Sequence, residues 1–76
     1  MLVNNEAAAA EYVNSWSAAH ASRRRSHFTL AIEGLEMARD IAFSQGHNEE
    51  ALDFCEAIGV IRLARLQANR EMGMNG

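Results

Sequence analysis

The sequence predicts an all-α fold, and three observations carry that prediction. The chain has no proline, and none of its five glycines (Gly34, Gly46, Gly59, Gly73 and Gly76) falls in the first 33 residues. It is rich in Ala, Leu, Glu, Arg and Met, the residues that cost least in a helix. Nowhere do Val, Ile, Thr and aromatic residues alternate with polar ones for long enough to make a strand.

The first helix is expected over about 5–24. Asn4 or Asn5 can cap it, and Glu6 lies in its first turn, where a carboxylate meets the positive end of the helix dipole. Its apolar face is thin: Ala9, Val13, Trp16 and His20 share one side, flanked by Tyr12, so only two large side chains are on offer for contact. The segment Ser22–His27 contains neither Pro nor Gly. A break is expected near Arg25, with Ser26 capping the next helix, and a single helix over about 5–44 is the competing reading.

The second helix is expected over about 26–44, with Phe28, Ala31, Ile32, Leu35, Ala38 and Ala42 as its core-facing stripe, broadened by Leu30, Met37 and Ile41. Gly46 can take the left-handed conformation that ends it. Asn48 is then placed to cap a third helix over about 49–71, with Glu49 and Glu50 at its positive end. This helix has a polar line through Glu49, Asp53, Glu56 and Gln67. Its apolar arc, through Ala51, Leu52, Phe54, Cys55, Ile58, Ile61 and Leu66, is wider than one neighbouring helix can cover. Closing the hairpin at residues 45–47 brings Gly34 level with Gly59, which suggests either a close backbone crossing or two tolerated glycines.

The expected architecture is therefore one domain over 1–76: an antiparallel helical hairpin with an N-terminal helix added to form a small three-helix bundle, and residues 1–4 and 73–76 frayed. A domain of 76 residues buries only roughly 60% of the surface its unfolded chain exposes. The lone Cys55 cannot form an internal disulfide. Packing and self-association remain as sources of stability, so a homo-oligomer is expected. A content of 49% hydrophobic and 22% charged residues places the chain well away from disordered compositions.

A formal charge of −3 argues against a generally basic, nucleic-acid-binding surface. The opening MLVNNEAAAA has no basic region leading into an apolar core, and no apolar run approaches the roughly 20 residues of a membrane span. The expected compartment is the cytoplasm. Metal binding and catalysis find no support. His20, His27 and His47 lack ligand spacing, and neither Ser22, Ser26 nor Cys55 sits in a motif that supplies a base and an oxyanion hole. Cys55 reads as a small core residue. No cofactor is expected.

Arg62 and Arg65 interrupt the apolar arc of the third helix. An ion pair between Arg62 and Glu33 within the chain is one reading, and long arginine stems laid over apolar surface are another. The third is an interface between chains in which both arginines, with Leu66, meet carboxylates of a second copy, drawn from Glu49, Asp53 and Glu56 or from Glu33 and Glu36. Tyr12 and Trp16 are either pegs that dock the first helix or anchors for a partner. Arg23, Arg24 and Arg25 form the one concentrated positive patch, a candidate anion contact, although arginines ending a helix are also favoured by its dipole.

The phrase GHNEEALDFCEAI, residues 46–58, resembles the turn and second helix of a tetratricopeptide repeat, in which Gly46 and Ala51 match. The sequence departs from the pattern at Ile58, where alanine is expected, and no closing proline follows. The function expected is a non-enzymatic protein-interaction module (an adaptor, a small chaperone or an inhibitor of the kind bacterial viruses encode). It would act by occluding or scaffolding a protein partner as a homo-oligomer. The alternative is a nucleic-acid-associated regulator using Arg23 to Arg25.

Overall fold

The computed structural model describes residues 3–73 and contains three helices, α1 (Glu6–Ser15), α2 (Ala21–Ser44) and α3 (Asn48–Glu71). No strand occurs among the described residues. The hairpin of α2 and α3 is the main body, and α1 packs on α3 while Tyr12 of α1 and Trp16 at its end reach α2. The core lies where the three meet, at Ala9, Phe28, Ile32, Leu35, Ala57, Ile58 and Ile61. Ala9, Ala51, Ala57 and Ala68 are fully buried, and such small side chains let helix backbones approach closely.

Of the two expected caps, Asn4 and Asn5, it is Asn5 that caps α1, its Oδ1 accepting a hydrogen bond from the Ala8 N–H at 2.8 Å. The break after α1, however, falls at residues 16–20 and not near Arg25. Tertiary contact decides this. In a straight helix Trp16 and His27 would stand about 16 Å apart, since each residue rises about 1.5 Å. In the fold their rings stack, centroids 4.0 Å apart and planes 22° from parallel. The turn that permits this needs no glycine. The N–H groups of Trp16, Ser17 and Ala19 donate to Val13, Asn14 and Trp16, and the His20 side chain then accepts from Ser22 N–H to start α2.

One consequence reverses an expectation. Arg23, Arg24 and Arg25 lie in the first turns of α2, at its positive end, and not at the end of α1 where the dipole favours them. Arg24 is held by specific bonds instead. Its Nε donates to the Ala19 carbonyl at 3.0 Å, and its two terminal nitrogens donate to the two Glu71 oxygens at 2.9 and 2.6 Å. That bidentate pair ties the start of α2 to the end of α3.

At the other end of the hairpin Gly46 takes φ 77°, and the N–H groups of Gly46 and His47 donate to the carbonyls of Phe43 and Ala42, the two bonds of a Schellman turn. His47, not Asn48, is the residue at the cap of α3: its carbonyl accepts from Ala51 N–H, and no side chain caps the helix. The Schellman bonds fix His47 in that place, so Asn48 is already helical. Gly34 and Gly59 overturn the close-crossing expectation. Both are exposed, and a Cβ built on either meets nothing within 4 Å.

Of the termini expected to fray, residues 1, 2 and 74–76 lie outside the described part, whereas Val3 packs against the core.

Candidate interaction surface

The hairpin buries one sector of each long helix and leaves the opposite sector in water. On α2 the inward sector holds Phe28, Ile32 and Leu35. Its outward sector carries Leu30, Gly34, Met37 and Ile41, spaced by four, three and four residues, which aligns them in one stripe. Leu30, Met37 and Ile41 are 65%, 67% and 55% exposed. The sequence assigned these three to the core stripe, and the structure corrects that. The signal was present in their own spacing around Gly34. An apolar arc too wide for one neighbour must face water somewhere, and the crossing of α3 leaves this side uncovered.

Beside this stripe runs an open, mostly apolar groove of about 380 Å³, lined by Val3 and Tyr12, by Ala31, Gly34, Leu35 and Ala38 of α2, and by Phe54 of α3. Gly34 belongs to both, so stripe and groove form one surface. Glu33 and Asp40 border its other edge, both exposed. Asp40 accepts a bond from Arg39 at 3.1 Å, while Glu33 makes no ion pair among the described residues.

A second stripe follows the outward side of α3 through Leu52, Glu56, Gly59, Leu63, Leu66 and Arg70, at spacings of four, three, four, three and four. Leu52 and Leu63 are 57% and 70% exposed, and Leu66 is half-buried. Cys55, expected in the core, is half-buried on the edge of this stripe.

Arg62 and Arg65 leave α3 on the side that borders α2. Arg62 donates to Glu36 at 2.9 Å, so its partner is one turn beyond Glu33, and Arg65 lies 3.4 Å from the Thr29 hydroxyl. The Arg62 side chain stays half in solvent, a setting in which an ion pair contributes little to stability. Tyr12 and Trp16 work inside the chain as docking pegs. The Tyr12 hydroxyl donates to the His27 carbonyl at 3.3 Å, its ring meets Phe28 edge-on at 5.9 Å, and burial raises its phenol above the ordinary value. His20 and His27 are not brought together, since one caps α2 and the other stacks on Trp16. Of the arginine run, Arg24 is committed to Glu71, and Arg23 and Arg25 remain exposed.

No helix among the described residues is long and apolar enough to cross a membrane, and no three His, Cys, Asp or Glu side chains among them are grouped to hold a metal ion. The chain matches no protein-family model, no curated protein and no solved structure, so its own surfaces are the ground for a functional reading.

Proposed function

We propose that this chain is a small non-enzymatic interaction module that self-associates and binds a helix of another protein, acting by occlusion or as a scaffold. One observation carries the reading: large apolar side chains stand in solvent in an ordered stripe, Leu30, Met37 and Ile41, beside a groove floored by alanine and glycine. Scattered exposed leucines need no explanation, but an aligned stripe with a groove is the form that receives an amphipathic helix. Glu33 and Asp40 along one edge favour a helix with Lys or Arg beside its apolar positions.

The test is a titration of the isotope-labelled protein with a designed helical peptide bearing a leucine stripe flanked by lysines, followed by amide NMR. Gly34, at the centre of the surface, is the reporter. The expected result is saturable shifts at Leu30, Gly34, Met37 and Ile41 that are absent with a control peptide in which glutamates replace the flanking lysines. Shifts elsewhere, or none, refute the groove.

The alternative, a nucleic-acid-associated regulator, keeps Arg23 and Arg25 as free cations at the positive end of α2, with Arg24 engaged by Glu71. Binding to nucleic acid that falls steeply with salt and is lost in Arg23→Ala/Arg25→Ala would favour it.

A further inference from the structure

We propose that the second stripe is a self-pairing surface: α3 of one copy packs antiparallel on α3 of another about a two-fold axis, with Leu63 of each copy seated over Gly59 of its neighbour. This rests on the self-association proposed above and names the surface that performs it. Two features of α3 lead to it.

The first is shape. Leu52, Glu56, Gly59, Leu63, Leu66 and Arg70 repeat at the alternating four and three spacing that keeps one seam facing a partner helix. Gly59 is a gap in the seam with open space around it, one turn from Leu63, which at 70% is the most exposed large hydrophobic side chain among the described residues. In an antiparallel pair these two positions oppose each other, so the knob fills the hole twice, as a two-fold interface requires.

The second is charge. On the seam itself the charges are Glu56 in the first half of α3 and Arg70 near its end, with Glu49 beside the seam at its start; Arg62 and Arg65 border α2, and Glu71 is held by Arg24. A parallel pair sets like charges side by side. An antiparallel pair with Leu63 over Gly59 brings Arg70 of each copy within one turn of Glu49 of the other, at the two ends of the seam. The stripe on α2 lacks this property: its bordering charges, Glu33 and Asp40, are both acidic, and antiparallel self-pairing sets them against each other. The electrostatics thus distinguish the two stripes, one complementary to itself and the other to a basic partner.

The experiment is sedimentation equilibrium across a concentration series, with circular dichroism as the control for folding. Wild type is expected to form a dimer. Gly59→Leu fills the hole, Leu63→Glu removes the knob, and neither touches the core. Each is expected to raise the dimer Kd at least about ten-fold at unchanged helicity, while Gly34→Leu and Met37→Glu on α2 leave the dimer intact. Orientation is tested by charge: Glu49→Arg and Arg70→Glu each weaken the dimer at low salt, and their combination restores it. A monomer at every concentration, a dimer indifferent to both Gly59→Leu and Leu63→Glu, or a double variant no tighter than the singles overturns the proposal. None of these results bears on peptide binding at Gly34, so failure here and failure of the groove are separate outcomes.

Discussion

Replacing Gly34 with alanine is expected to stabilise the protein. Gly34 lies in the interior of a 24-residue helix, where glycine costs about 1 kcal/mol relative to alanine through the backbone freedom it surrenders. The added methyl meets nothing within 4 Å, so no steric charge offsets the gain, and the site is exposed, so burial adds nothing. The net is about 1 kcal/mol in favour of the folded state. For a chain of 76 residues the unfolding entropy near the midpoint is about 0.16 kcal/mol/K, which converts that gain to a rise in Tm of about 6 °C. Thermal unfolding followed at the helix signal, with wild type and Gly34→Ala at one protein concentration, is the assay, because association shifts apparent stability by mass action. A fall in Tm would mean that another backbone presses on Gly34, and the account of α2 as a helix with one face open would be wrong.

Three further outcomes follow from the same geometry. Phe28→Ala removes the largest fully buried side chain among the described residues and the edge contact with Tyr12, at a cost of about 3–5 kcal/mol, so urea titration should show the cooperative transition lost or nearly lost. Trp16→Ala removes the half-buried ring that stacks on His27; about 2 kcal/mol of destabilisation is expected, with hydrogen exchange accelerated in α1 before α2 and α3. The hydrogen bonds from Arg24, with its charge, hold the Glu71 carboxyl below its ordinary value, so its contribution is present above the ordinary carboxylate range and lost as pH falls through the lowered value. The urea midpoints of wild type and Glu71→Gln should therefore differ at neutral pH and converge in acid. A difference that persists there would mean that Glu71 acts other than through its charge.

Most of what is settled within one turn of helix was legible in the sequence, the cap of α3 at His47 in place of Asn48 being the exception. The helical class, the Asn5 cap and the left-handed Gly46 that turns the hairpin all depend on neighbours a few residues away, and all are found in the fold. Glu36 as the partner of Arg62, in place of Glu33, depends on the stagger of two helices, which no local pattern sets. The break at residues 16–20 depends on a ring stack between Trp16 and His27, which local propensity does not register. The same stack decides that the arginine run begins α2 and that Arg24 can reach Glu71 across the bundle. The candidate surfaces divide in the same way. Spacing already aligned Leu30, Gly34, Met37 and Ile41, and Leu52 with Leu63, but a helical wheel does not say which part of a wide apolar arc meets its neighbour. The crossing of α2, α3 and α1 made that choice, burying one sector of each long helix and leaving the opposite one to water.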